Sequence, residues 1–281
     1  CMYNNINDKK IPLILLNARL TRKTFKKWML LRSFARSIFN KITITYPQNL
    51  ETAQYLKILR ANNIRHLGNL KFAENFEENL DRININLKKE LKKKKIWVAS
   101  STHKSEEVFC AKAHIELRKK VKNLITIIIP RHIHRSEEII LDIKNLGLKV
   151  SQHSAKPRSL KDTDIYIVDT FGETKKFHKI GSSVFLGGSI IDRGGQNPLE
   201  AARFGAKILH GPNTDNFKDV YKLLKLLNVS KKILTPKKLA SSITFRKNKI
   251  IGNKIKDIGQ NILKKTIKEL DYFIIDEFKK T

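Results

Sequence analysis

The stretch from residue 186 to 217 concentrates residues that can bind an anionic ligand. Its sequence is LGGSIIDRGGQNPLEAARFGAKILHGPNTDNF, and it holds six of the chain's twelve glycines. Glycine leaves backbone N–H groups accessible and a helix N-terminus carries partial positive charge, so phosphate can bind where the two meet. Gly187, Gly188 and Ser189 form one such turn, and Gly194 and Gly195 form a second. Tight turns flanking a helix would use the same residues, and both interpretations stay open.

The Asn-Pro-Leu-Glu box that follows also has two interpretations. Asn197 suits the N-cap of a helix, Pro198 its first position, and Glu200 the third, where a carboxylate can reach back to the cap. Alternatively, Glu200 accepts hydrogen bonds from the hydroxyls of a ribose. The residues alone do not separate a helix cap from a nucleotide site.

Polar clusters follow other apolar runs. Arg131 comes directly after the run that ends at Pro130, and its guanidinium group can bind a phosphate or carboxylate with two hydrogen bonds. Gly172 and Glu173 follow a third run and present a backbone turn. The residues from 100 to 103 can cap the next helix.

The elements that must position these clusters alternate between strands and helices. The predicted strands are 96–100, 124–129, 149–154, 164–169, 183–187 and 207–210, and the predicted helices are 106–121, 136–146 and 198–204. This alternation predicts an α/β fold with a doubly wound, parallel, Rossmann-like sheet. Ligands bind at the carboxyl ends of the strands in such sheets, where each cluster is expected.

The first region has its own pattern of elements. We expect a strand over 11–16, a helix over 21–40 capped by Thr21, a strand over 41–47 and a helix over 50–62. Lys71 is then expected at a strand end facing a cleft between domains, although a solvated surface lysine is the simpler interpretation. The predicted domains are a first region 1–80, a basic linker 81–95, a sheet domain 96–255 and a C-terminal helix 256–281.

Charge restricts the class of partner. The net charge of +31 favours phosphate-rich partners: nucleic acid, an anionic membrane or an acidic substrate. Residues 9–50 contain ten Lys or Arg and no Asp or Glu, with aromatic residues between them. Such a segment can lie on an anionic membrane surface, or its aromatic residues can belong to the core.

Cysteine usage and apolar runs limit the compartment. Cys1 and Cys110 make no disulfide framework, and no Cys/His spacing suggests zinc, so we expect a reducing, cytosolic environment and no metal. The longest apolar runs, 11–16 and 124–130, are far shorter than the roughly 20 residues that span a bilayer. The first residue is Cys rather than Met, so we expect a segment to precede it.

The motifs as a set resemble one family. The stretches IPLILLNARLT, GNLKF, WVASSTHKSEE, IIIPRH, DTFGE and the 186–217 segment, extended to Val220, are similar to the 3-deoxy-D-manno-octulosonic acid (Kdo) transferases of Gram-negative bacteria. The resemblance implies a two-domain GT-B glycosyltransferase of lipopolysaccharide biosynthesis. It implies inverting transfer of Kdo from CMP-Kdo to a lipid A precursor, without a required metal or cofactor, at the cytoplasmic face of the inner membrane.

The resemblance also implies a role for individual residues. Lys71 would stabilise the charge that develops as CMP leaves. The donor would be bound by three groups of residues and the glycine turn, namely Pro130 and Arg131, then Phe171, Gly172 and Glu173, then Asn197, Pro198, Leu199 and Glu200, together with Gly187, Gly188 and Ser189.

Departures from the family pattern lead to further expectations. Lys104 and Ser105 replace a Glu-Gly pair, and Gln196 replaces a histidine. The family's glutamate general base has no counterpart, so we expect a fragment or split enzyme that lacks most of its N-terminal domain. A separate chain would then supply that domain. The alternative functions are a non-catalytic anion- or nucleic-acid-binding protein and a GT-B enzyme that uses a UDP-sugar, although no nucleic-acid module is recognised.

Overall fold

The computed structural model describes residues 2–73 and 83–279. The chain divides into two compact units, a smaller one of residues 1–76 and 256–281 and a larger one of residues 77–255. The domain boundaries proposed from composition stay predictions, and part of the proposed linker, residues 81 and 82, lies outside the described residues.

The smaller unit is built on a short parallel pair of strands. Ile14 pairs with Ile44 in this sheet, and the apolar faces of the flanking helices cover it. Its elements before residue 76 are α1 Met2–Asp8, β1 Ile14–Ala18, α2 Arg22–Leu30, α3 Arg32–Phe39, β2 Ile44–Pro47, α4 Leu50–Ile58 and a 3₁₀ turn Leu70–Ala73.

The single helix predicted over 21–40 is wrong, because the chain breaks at Leu31 into α2 and α3. Thr21 caps α2 as predicted, accepting a hydrogen bond from the Thr24 amide at 3.2 Å. Leu31 has non-helical backbone angles, and only the second helix has fully buried residues, Ala35 and Phe39. Neither Pro nor Gly marks the break, so the residue types gave no signal for it.

The turn that carries Lys71 is also different from the expectation. Lys71 lies in the 3₁₀ turn rather than at a strand end, and its amide donates to Asn69 Oδ1 at 3.0 Å. The C-terminal helix packs on this turn, since a Cβ on Gly259 would overlap the carbonyl oxygen of Phe72. The glycine therefore permits the close approach that supports the turn.

The larger unit is a seven-stranded parallel sheet. Its elements are α5 Ile85–Lys92, β3 Lys95–Thr102, α6 Glu106–Arg118, β4 Leu124–Pro130, α7 Ser136–Lys144, β5 Val150–Gln152, β6 Ile165–Ile167, α8 Thr174–His178, β7 Ser183–Leu186, α9 Leu199–Arg203, β8 Lys207–His210, α10 Lys218–Leu226, β9 Ser230–Lys232 and α11 Pro236–Ser242, with α12 Lys249–Phe278 starting in this unit. The strand order in the sheet is β5-β6-β4-β3-β7-β8-β9.

Both faces of this sheet are covered. Trp97 and Ala99 on β3 pack in one apolar cluster with residues of α6, α7 and α11. Their neighbour Val98, which points to the opposite face, is equally inaccessible. Burial on both faces requires nearly continuous apolar strands such as the one over 124–129. The predicted α/β fold with a doubly wound parallel sheet is confirmed.

Some helices were not predicted, and others begin or end at residues other than those expected. Helix α5 occupies the segment expected as a linker, and it buries Leu87 and Leu91. The C-terminal helix begins at Lys249 rather than at residue 256. Within residues 2–73 and 83–279, no helix combines the length and the apolar character needed to cross a bilayer.

Candidate functional site

The candidate site lies at the carboxyl edge of the large sheet. From β3 the chain adds strands on one side, through β4, and then returns to β3 and adds β7, β8 and β9 on the other side. The carboxyl ends of β3 and β7 therefore flank the point where the direction of winding reverses, which is where such sheets hold ligands. As predicted, the polar clusters all lie at carboxyl strand ends, namely 100–107, 130–132, 169–173, 187–189 and 210–213.

A buried carboxylate organises the first glycine turn. Glu106, the first residue of α6, is inaccessible to solvent and accepts four backbone hydrogen bonds. Its Oε2 accepts from Gly188 at 2.7 Å and from His103 at 3.0 Å, and its Oε1 accepts from Ser189 at 3.1 Å and Ile190 at 2.9 Å. A carboxylate thus holds the loops after β3 and β7 together.

This contact corrects the mechanism expected for the glycine turn. One of the two open interpretations left the amides of Gly188 and Ser189 available to phosphate, but Glu106 already occupies both. Gly187 serves a packing purpose, because its Cβ would overlap the carbonyl oxygen of Ser101. The assignment of these three residues to donor binding stays a prediction and requires groups other than these amides.

The second glycine pair closes the same loop. The Gly195 amide donates to the Gly188 carbonyl at 2.8 Å, and Asn216 packs where a side chain on Gly194 would lie. For Gly195 the structure therefore favours the interpretation as a turn over that as a phosphate site.

The Asn-Pro-Leu-Glu box starts a helix, but one residue later than expected. Helix α9 begins at Leu199, with Pro198 at the cap position, and Asn197 Oδ1 accepts from the Leu199 amide at 3.1 Å. Glu200 does not act as a capping-box partner. Its Oε1 lies 3.0 Å from Nδ1 of His178 on α8, and its side chain keeps a quarter of its surface exposed.

The loop after β4 presents an available cation. The Arg131 amide donates to the Thr102 carbonyl at 2.9 Å, which fixes the backbone after Pro130 beside the end of β3. The Arg131 side chain is exposed, and no carboxylate among the described residues lies within 4 Å of it. It can therefore bind an anionic ligand without first losing a partner.

The loop after β6 combines an exposed ring with a paired carboxylate. Phe171 is 81% exposed, and no atom of the described residues other than its chain neighbours lies within 4 Å of the Cβ position of Gly172, so a nucleobase has room to stack on the ring. Glu173 lies 3.0 Å from Lys176 Nζ and 3.9 Å from His153 Nε2. Burial lowers the pKa of His153, although Glu173 and Asp169 oppose that shift.

Sequence reasoning missed Glu106 and His178 as parts of this site, and it expected His103 only as a helix cap. Instead, the backbone of His103 donates to Glu106. An acidic residue at a helix start was the only signal for Glu106, and three of its four partners lie more than 80 residues away. Among the described residues, no group of three or more His, Cys, Asp or Glu side chains could hold a metal, and the absence of a metal requirement stays a prediction.

Comparison with known proteins identifies relatives over almost the whole chain. Residues 1–74 match the model of the 3-deoxy-D-manno-octulosonic-acid transferase (kdotransferase) family, in its N-terminal region. A 3-deoxy-D-manno-octulosonic acid transferase of Rickettsia bellii is 30% identical over 271 residues, and that of Rickettsia prowazekii is 32% identical over 281. The matches cover 96% and 98% of this chain but 64% and 59% of those relatives, so the chain spans about six-tenths of their length.

Solved structures show the same fold. The C-terminal CMP-Kdo binding domain of WaaA from Acinetobacter baumannii superposes with a TM-score of 0.52 at 22% identity, covering 62% of this chain and 91% of that domain. A putative UDP-N-acetylglucosamine 2-epimerase from Listeria monocytogenes superposes with a TM-score of 0.61 at 13% identity, covering 99% of this chain and 71% of that one. The expected GT-B-like fold class is confirmed.

The resemblance suggested by the motifs is therefore confirmed by the comparisons. The family match begins at the first residue, and the Rickettsia relatives continue through the carboxyl-edge loops to the last helix. Along nearly its whole length, the chain is a relative of the 3-deoxy-D-manno-octulosonic acid transferases.

Proposed function

We propose that this chain binds CMP-Kdo and takes part in the transfer of Kdo to a lipid A precursor in lipopolysaccharide synthesis. The observation that carries the proposal is the similarity to Kdo transferases over 96% of the chain, at 30% identity. The exposed Arg131 and Phe171 support it, because they offer a cation and a stacking ring at the same edge of the sheet.

In this proposal each group has a defined task at the donor. Arg131 binds an anionic oxygen of the donor, and Phe171 with Gly172 lines the base. Glu200 accepts hydrogen bonds from the ribose hydroxyls through its exposed carboxylate surface, since His178 occupies only Oε1. Lys71 stabilises the phosphate charge that develops when the glycosidic bond to CMP breaks.

Inverting transfer also requires a base that takes the proton of the attacking hydroxyl. The glutamate that performs this task in the family has no matching residue among the 281 of this chain. The proposal therefore concerns the binding of the donor and the charge on its departing phosphate.

Nucleotide competition tests the donor assignment. The chain is titrated with CMP, UMP and AMP by isothermal calorimetry, with an Arg131→Ala variant and the exposed Arg246→Ala as matched control. We expect CMP to bind most tightly, and Arg131→Ala to weaken it about tenfold or more because a charge-assisted hydrogen bond is lost. A preference for UMP would contradict the CMP assignment.

We further propose that the chain acts as a peripheral protein on the anionic cytoplasmic face of the inner membrane. Leu30, Leu31 and Phe34 are 85%, 61% and 56% exposed where α2 meets α3. The surrounding residues 9–50 carry ten Lys or Arg and no acidic residue. A surface of this kind suits an anionic bilayer. The apolar side chains insert into the bilayer, and the basic residues around them balance its negative charge.

The alternative interpretation of that segment also holds in part. Phe25 stacks on Tyr55 with ring centroids 4.2 Å apart, and Trp28 meets Phe39 edge-on at 5.4 Å. These rings belong to the core of the smaller unit, so Phe34 is the aromatic residue of this segment that remains for a membrane.

A further inference from the structure

Three side chains of unassigned function converge at the reversal point of the large sheet. A Cβ built on Gly188 would lie 3.3 Å from Nε2 of His103, 3.3 Å from Cβ of Arg193 and 3.4 Å from Nε2 of Gln196. His103 follows β3, whereas the other two belong to the loop after β7. The absence of a side chain at Gly188 allows these three polar side chains to lie close together.

The surroundings of His103 carry positive charge, because Arg193 and Arg131 both act electrostatically on its imidazole. Arg131 and Arg193 are both exposed, and no carboxylate of residues 2–73 and 83–279 lies within 4 Å of either guanidinium. The His132 ring stands 5.7 Å from the His103 ring. Glu106 is the nearby acid, but its two oxygens are committed to four backbone amides.

His103 is held in place with one ring nitrogen unsatisfied. Its backbone amide is fixed by Glu106, and its Nε2 has no solvent contact and no hydrogen-bond partner among the described residues. Burial lowers the pKa of this imidazole, Glu106 opposes the shift, and His132, Arg193 and Arg131 lower the pKa further. A buried polar atom without a partner is unfavourable, and an anion at this point would offer both an acceptor and a counter-charge.

We propose that His103 and Arg193, together with Arg131, form a subsite for an oxyanion of the donor. The inference rests on the proposed function, which supplies a donor with two such groups, the phosphate of the nucleotide and the carboxylate of the sugar. Guanidinium groups bind either oxyanion through paired hydrogen bonds, and the imidazole adds a third donor.

Three ligands separate the two sources of the oxyanion. The full chain is titrated with cytidine, CMP and CMP-Kdo, using wild type, His103→Ala, Arg193→Ala, Arg193→Lys and the control Arg246→Ala. We expect His103→Ala and Arg193→Ala to lower the affinity for the ligand that carries the bound oxyanion about tenfold or more. Arg193→Lys should have an intermediate affinity, and the affinity of the control should be unchanged. Weaker binding of CMP but not of cytidine assigns the phosphate, whereas weaker binding of CMP-Kdo alone assigns the carboxylate.

Other outcomes would overturn the subsite. If the wild type binds CMP-Kdo and both alanine variants bind it equally well, the subsite is wrong while the proposed function stands. If the wild type binds none of the three ligands, the proposed function fails and the subsite fails with it. Thermal unfolding of each variant identifies loss of fold, and Arg193→Ala, at an exposed position, keeps the test valid if His103→Ala is unstable.

Discussion

At the scale of residues, the main finding is that a protein carboxylate occupies amides that the glycine motif suggested for phosphate. Four backbone amides from the loops after β3 and β7 donate hydrogen bonds to Glu106, two to each carboxylate oxygen. The buried charge is stabilised by these donors, in the way that backbone amides stabilise a bound anion. Glu106 thus positions the loops that surround the candidate site.

Glu106→Gln should destabilise the larger unit. A glutamine side chain has one acceptor oxygen, and its amino group would face backbone N–H donors, so at least two buried donors would lose their partner. We expect the free energy of unfolding to fall by about 2–4 kcal/mol, measured by urea denaturation. The control is Glu116→Gln, a partly exposed position on the same helix that pairs with Lys119. Equal effects of the two substitutions would contradict this role.

Residue types predicted some contacts at the site and could not predict others. The sequence predicted an available Arg131, because this basic residue comes directly after the end of β4. It also predicted the position of Phe171, because this residue comes shortly after the end of β6. The pairing of His178 with Glu200 does not, because it joins α8 to α9 across a strand, and the sequence carries no signal for which imidazole meets which carboxylate.

At the scale of elements, the sheet was predictable because each central strand is apolar on both faces. The edge strand β9 was missed, since its sequence Ser-Lys-Lys has no apolar pattern, and lysines are common on sheet edges. The short helices α8, α10 and α11 were missed as well. The predicted helix 21–40 failed because nothing in its composition distinguishes Leu31 from its neighbours.

The junction of α2 and α3 is the element that should contact a membrane. We expect the wild-type chain to sediment with vesicles containing anionic lipid and not with neutral vesicles. The double variant Leu30→Ser with Phe34→Ser should bind the anionic vesicles about tenfold or more weakly, because about 2–3 kcal/mol of apolar insertion is lost. The control is Leu226→Ser, a leucine on α10 that is 74% exposed. Undiminished sedimentation of the double variant would contradict the proposed surface.

At the scale of the whole molecule, the net charge of +31 accords with the partners proposed above, a negatively charged donor and an anionic membrane. Charge alone left a nucleic-acid-binding protein as an alternative. Two observations that do not depend on net charge distinguish a Kdo transferase from a nucleic-acid-binding protein. They are the order of motifs along the chain and the similarity to Kdo transferases over 96% of its length.

The central claim is that the carboxyl edge of the large sheet binds a cytidine nucleotide, and a crystal structure of the chain with CMP tests it most directly. We expect the nucleotide between the ends of β3 and β7, with its phosphate at Arg131, its base near Phe171 and its ribose at Glu200. CMP bound at the opposite edge of the sheet, or bound at the carboxyl edge without contact to any of these three residues, would contradict the account.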